Sequence, residues 1–121
     1  MHWRPNLRRP LEKGAYESII TLLRLANCDV YRMAQARAST QSLGFPDLFA
    51  FAPISSGLRT ITVEVKRPGG KVRPEQAVFQ ERCIERGMLH VVGGTEEVLA
   101  ALQANGLLVW DQRTRSYRRT G

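Results

Sequence analysis

Thr60-Ile61-Thr62-Val63-Glu64-Val65-Lys66 alternates strictly, with Ile61, Val63 and Val65 on one side and Thr60, Thr62, Glu64 and Lys66 on the other. A period of two marks a β-strand, and the apolar side implies that one face lies in a core. The same alternation aims Glu64 and Lys66 in one direction, about 6.5–7 Å apart along the strand. A carboxylate and an ammonium so placed can share a water held by a metal ion. A second apolar run, Phe45-Pro46-Asp47-Leu48-Phe49-Ala50-Phe51, precedes the strand, and the turn-rich piece Pro53-Ile54-Ser55-Ser56-Gly57 joins the two. That order predicts an antiparallel hairpin with Asp47, Glu64 and Lys66 converging on one patch.

Upstream, residues 11 to 27 carry a helical pattern. Ile19, Leu22, Leu23 and Ala26 form its core side, and Lys13, Glu17, Thr21 and Arg24 its polar side. A glutamate in such a row is ordinarily a surface residue paired with Lys13 or Arg24. Val30-Tyr31-Arg32-Met33 reads as a short strand, and residues 34 to 43 are small and polar, with Arg37 as their one charge. Residues 1 to 10 form a basic arm containing Arg4, Arg8 and Arg9, either touching nucleic acid or simply solvated.

Downstream, Arg67-Pro68-Gly69-Gly70-Lys71-Val72-Arg73 is a flexible basic loop beside Lys66, placed to meet backbone phosphates. Pro74 opens a helix that Gly87 closes. On it Gln76, Gln80 and Cys83 share one stripe, while Ala77, Val78 and Ile84 supply the apolar side. Met88-Leu89-His90-Val91-Val92 is nearly all apolar and predicts a central, buried strand. His90 there reads as a packed, hydrogen-bonded residue rather than a catalyst. Thr95 is the expected N-cap of a helix running to about Ala104, with Glu96 and Glu97 complementing its dipole. Asn105-Gly106 stops that helix, and Leu107-Leu108-Val109-Trp110 is a last strand. The basic tail at 112–121 holds Arg113, Arg115, Arg118 and Arg119 with Tyr117. Such a composition suits nucleic acid and equally suits a disordered end.

A chain of 121 residues is long enough for one self-supporting domain, spanning 1–121. No apolar run approaches the ~20 residues of a membrane span, and Met1-His2-Trp3-Arg4-Pro5 lacks a secretory apolar region. The expectation is a cytoplasmic protein with no membrane partner. Eighteen Lys and Arg against 11 Asp and Glu give a net charge of +7, which favours a polyanionic partner. From charge alone, a ribosome-associated or merely basic protein fits as well. Cys28 and Cys83 suit neither a zinc site nor a disulfide framework and read as buried, reduced thiols.

Pro46-Asp47, the residues 48 to 63, and then Glu64-Val65-Lys66 resemble the PD-(D/E)xK signature of restriction-endonuclease-like nucleases. Gly44-Phe45-Pro46-Asp47-Leu48, followed by Lys71-Val72-Arg73-Pro74-Glu75-Gln76 and Gln80, is similar to the VRR-NUC branch, over roughly residues 11 to 93. That branch includes stand-alone phage and bacterial proteins. The resemblance implies an α/β mixed sheet in the order α-β-β-β-α-β, followed by a helix and a short strand. The residue pattern predicts the same order.

The resemblance further implies a structure-selective DNA endonuclease dependent on Mg²⁺ or Mn²⁺. It would act on branched DNA such as Holliday junctions, as a homodimer. Hard cations want oxygen ligands, so Asp47 and Glu64 are the expected ligands, with the Val65 carbonyl as a third. By resemblance Glu17 would bind water or a second metal, Lys66 would orient or deprotonate the attacking water, and Gln76 would hold a phosphate or a water. Arg32 would contact the scissile phosphate or brace a carboxylate. Arg67, Lys71, Arg73 and Gln80 would meet the DNA. Two other readings stay open. Asp47, Glu64 and Lys66 would also suit an amphipathic edge strand with a surface ion pair. A non-catalytic nucleic-acid-binding module of the same fold is the other, although such a relative is expected to have lost a carboxylate or the lysine.

Overall fold

The computed structural model of the chain describes residues 2–4, 12–33 and 44–120. Its elements are α1 (Glu12–Leu25), β1 (Asp29–Arg32), β2 (Leu48–Phe51), a 3-10 turn (Ile54–Ser56), β3 (Thr60–Val65) and α2 (Pro74–Glu85). Then come β4 (Leu89–Gly93), α3 (Thr95–Ala104), β5 (Leu108–Asp111) and β6 (Ser116–Arg119). Four strands form one sheet in the order β1-β2-β3-β4, antiparallel up to β3 and parallel from β3 to β4. Parallel neighbours need a crossover, and α2 supplies it. This is the mixed α/β architecture that the residue pattern implies. β5 and β6 make a separate antiparallel pair, to which Trp3 adds an isolated bridge opposite Tyr117.

Register decides what each face meets. Leu48 lies opposite Val63 and Phe49 opposite Thr62, so Leu48, Ala50, Ile61, Val63 and Val65 share one face. They pack in the core with Tyr16, Ile19, Leu22 and Leu23 of α1 and Val98 and Leu102 of α3. The other face carries Thr62, Glu64 and His90 and is covered by α2, with the Phe79 and His90 rings 5.3 Å apart. The sheet therefore sits between α1 and α3 on one side and α2 on the other.

That layering corrects several expectations. β3 is buried on both faces, with Thr62 1% and Glu64 4% exposed. Its alternation is real, but the polar side meets a helix instead of solvent. On α2 the expected faces are reversed: Gln76 and Cys83 are buried, whereas Val78 and Ile84 are 51% and 67% exposed and Ala77 is exposed too. The reason is the polar layer beneath, which a polar stripe can satisfy and an apolar one cannot. β4 lies at the sheet edge and is only partly buried. Its apolar residues reflect contact with α2 and α3, not a central place.

Gly94, not Thr95, is the N-cap of α3, with no side-chain cap hydrogen bond. Residues 116–119 of the basic tail form strand β6. His90 is packed as expected, its Nδ1 2.7 Å from Thr62 Oγ1, and burial pulls its pKa below the ordinary value. Cys28 and Cys83 are both free and buried. Arg8, Arg9 and the segment 34–43 with Arg37 lie outside the described residues. Among the described residues no helix is long and apolar enough to cross a membrane.

Candidate active site

Asp47 stands one residue before β2 and is fixed from three directions. Its N–H donates to the Val63 carbonyl at 3.0 Å, and its own carbonyl accepts the Met33 N–H at 3.0 Å. Its side chain reaches the end of β3, where Oδ2 accepts the Val65 N–H at 2.8 Å. The ladder thus continues through Asp47 and aims its carboxylate at Glu64.

The two oxygens of Glu64 have unlike surroundings. Oε1 accepts a hydrogen bond from the Gln76 amide, Nε2, and lies 3.7 Å from Lys66 Nζ. Oε2 is buried with no hydrogen-bond partner among the described residues. Burial first, and then the negative charge of Asp47, push the Glu64 pKa up to about 7, against the opposing pull of Lys66 and Arg73. A buried anionic oxygen without a donor is costly, and a cation relieves that cost.

Supporting contacts hold this geometry. Gln76 Oε1 accepts the Arg73 N–H at 2.9 Å, so one amide ties the first turn of α2 to β3. Lys66 is anchored through its N–H, which donates to the Gly93 carbonyl at the end of β4 at 2.9 Å. Gly44 sits with φ +83°, and a Cβ there would lie 2.3 Å from the Glu75 carbonyl oxygen. Only glycine lets the chain before Pro46-Asp47 touch the start of α2 so closely.

Asp47, Glu64, Val65, Lys66 and Gln76 are therefore brought together as the sequence suggests. Gln76 also ties the protein together, its amide donating to Glu64 Oε1 and accepting from the Arg73 N–H. Arg67, Lys71 and Arg73 are exposed in the segment between β3 and α2, and Gln80 is half-buried one turn beyond Gln76. Arg32 lies elsewhere. It pairs with Leu48, placing it on the opposite sheet face from Glu64, and its guanidinium stacks 4.8 Å over the Tyr16 ring. Glu17 is exposed on α1, and among the described residues no three His, Cys, Asp or Glu side chains form a metal-ligating group. A cavity of about 480 Å³, lined by Asn27, Ser55, Asn105, Arg119 and others, contains none of these side chains.

The donor set suits a hard cation. Mg²⁺ is commonly held by one or two carboxylates, with waters and substrate phosphate completing its shell. Two close carboxylates, one with a bare buried oxygen, meet that need with a lysine at the edge.

Comparison with known proteins bears on the same residues. The family model of the VRR-NUC domain matches residues 11–97, a span that includes the whole patch. The chain belongs to the VRR-NUC family. This is a nuclease-type domain family. A solved structure described as a VRR_NUC domain is similar in fold, with a TM-score of 0.60 and 24% identity, covering 76% of this chain and 94% of that one. No curated protein matches the chain.

Within this VRR-NUC domain the sequence reading overlooked the polar cluster behind Glu64. Buried Cys83 lies beside Thr62, whose hydroxyl meets His90, and the three fill the layer under α2. The signal was the Gln76, Gln80 and Cys83 stripe itself. The structural use of the Arg73 N–H carries no residue-type signal, because any residue but proline provides it.

Proposed function

We propose that this VRR-NUC protein is a Mg²⁺- or Mn²⁺-dependent endonuclease that hydrolyses phosphodiester bonds in branched DNA. The observation that carries the reading is the bare, buried Glu64 Oε2 beside Asp47, with Lys66 3.7 Å from the other Glu64 oxygen. Asp47, Glu64 and the Val65 carbonyl would hold the cation in this reading. When bound, such an ion neutralises phosphate charge and eases ionisation of water. Lys66 orients the attacking water and offsets charge on the phosphate oxygens as the phosphorus–oxygen bond to the leaving sugar breaks. Gln76 keeps Glu64 Oε1 occupied, which leaves Oε2 as the oxygen that would be available to the cation. Arg67, Lys71 and Arg73 neutralise flanking phosphates, and Gln80 offers a further amide at the rim.

Symmetric incision of a four-way junction needs two sites, and the described residues of one chain form one. The active form in this proposal is therefore a two-fold symmetric dimer. Labelled four-way junction, flap, single-stranded and linear duplex DNA, each with Mg²⁺, Mn²⁺ or EDTA, test the proposal. Metal-dependent cutting preferring branched substrates supports it. Tight binding without cutting on any substrate replaces it with a non-catalytic binding module.

A further inference from the structure

Residues 107–120 lie beyond the span matched by the family model. They hold four arginines against one aspartate, +3 of the protein's net +7. The structure makes them a built element. Leu107 and Leu108 are buried in the core. Arg119 Nε donates to the Leu25 carbonyl at 2.9 Å, closing the end of α1. Trp3 and Tyr117 exchange both backbone hydrogen bonds, at 3.0 and 2.8 Å. The Tyr117 ring packs 4.9 Å from Trp110 and 6.1 Å from Trp3.

The turn of this hairpin is shaped as well. Asp111 Oδ1 accepts the Arg113 N–H at 2.9 Å and the Thr114 N–H at 3.4 Å. Ser116 is buried, with its hydroxyl 2.7 Å from that of Thr114. Arg4 reaches across from the N-terminal segment to donate to the Thr114 carbonyl at 3.1 Å. Arg115 is held at φ +54°, a left-handed conformation disfavoured for a non-glycine residue. Asp111 is also paired with Arg118 at 3.4 Å. Among the described residues neither Arg113 nor Arg115 forms an ion pair, and both are exposed. Arg4, Arg113, Arg115 and Arg118 thus cluster at an ordered turn, beside an indole, Trp110, that is 38% exposed.

Guanidiniums presented from an ordered backbone beside an aromatic ring are the chemistry that meets a sugar–phosphate backbone. We propose that the β5–β6 hairpin is a second DNA-binding site, gripping phosphates of a duplex arm away from the bond that is cut. This rests on the reading of DNA as the substrate. Arg119 is not part of the site, because its guanidinium is committed to α1.

The test is fluorescence anisotropy of a labelled linear duplex in EDTA across a salt series, with the full chain. The variant combines Arg113→Gln with Arg115→Asn, since asparagine tolerates the left-handed conformation. Each lost phosphate contact lowers the log–log salt slope by about one. The expected result is a slope shallower by about two, weaker binding at every salt, and an unchanged cleavage rate at saturating protein. A control variant, Arg24→Gln with Arg59→Gln, removes equal charge from other exposed positions and is expected to retain the wild-type slope. Wild-type slope and affinity in the hairpin variant would overturn the proposal and leave the nuclease reading standing. An equal loss in the control overturns it too, by assigning the effect to net charge. If the wild-type protein binds no DNA at any salt, both readings fall.

Discussion

Glu64 is the residue on which the account turns, and its protonation can be read as stability. Its folded pKa, about 7, lies above the ordinary 4.5, so the folded protein holds a proton there that the unfolded chain has lost. For a carboxyl shifted this way, the contribution to stability is full below the unfolded pKa and is lost as pH rises through the folded one. In EDTA, the difference in unfolding midpoint between wild type and Glu64→Gln is therefore expected to fall between pH 4.5 and 7 and then level off. Adding Mn²⁺ above pH 7 should restore stability to wild type and not to the variant. A difference that rises across that window in EDTA contradicts the assigned environment. Gln76 gives a second prediction. Gln76→Leu leaves the Arg73 N–H without its partner and Glu64 Oε1 with only the Lys66 ammonium, 3.7 Å away, a cost of about 1–3 kcal/mol in denaturant unfolding. At this scale the alternation of residues 60–66 revealed that Glu64 and Lys66 share a side. It did not reveal that Gln76 answers Glu64, because helical spacing shows which residues share a stripe and not what that stripe meets.

Among the elements, the start of α2 and the chain before β2 are locked together at Gly44. A Cβ there would press on the Glu75 carbonyl oxygen and would also have to tolerate φ +83°. Gly44→Ala is expected to lower stability by about 1–3 kcal/mol and to reduce cleavage by moving Asp47 away from Gln76 and Glu64. Thermal unfolding and single-turnover rates check the two effects, and full activity in a normally stable variant contradicts this role. Element types were largely legible: the helix before Asn27, the β2–β3 hairpin and the α2 crossover all follow from periodicity and turn residues. Their environments were not. Val78 and Ile84 look like a core face until the layer beneath α2 proves to consist of Thr62, Glu64 and His90. β4 looks central because it is apolar, yet nothing pairs beyond it among the described residues. β6 was hidden because Ser116-Tyr117-Arg118-Arg119 lacks an apolar alternation, and its pairing depends on Trp110 and Trp3, far apart in sequence.

At the scale of the whole molecule, charge and site act together. A net charge of +7 favours a polyanion over distances near the Debye length, and in the proposed mechanism a cation offsets the two carboxylates as a phosphate approaches. Cleavage is therefore expected to weaken steeply as salt rises while retaining its metal requirement, measured as kcat/KM over a salt series. Rates insensitive to salt contradict electrostatic capture of the substrate. The family and the fold class were legible from Pro46-Asp47, Glu64-Val65-Lys66 and Pro74-Glu75-Gln76. Glu17 and Arg32 lie on the helix row and the strand that the pattern gives them, but a helix row and a four-residue strand leave open which face meets the site.

The most direct test is single-turnover cleavage of labelled branched DNA by wild type, Asp47→Ala and Lys66→Ala, with Mn²⁺ or EDTA, beside a check that each variant is folded. Cutting is expected by wild type only with the metal, with a loss of about 10²-fold or more in both variants. Metal-independent cutting, or folded variants that cut at the wild-type rate, would contradict it.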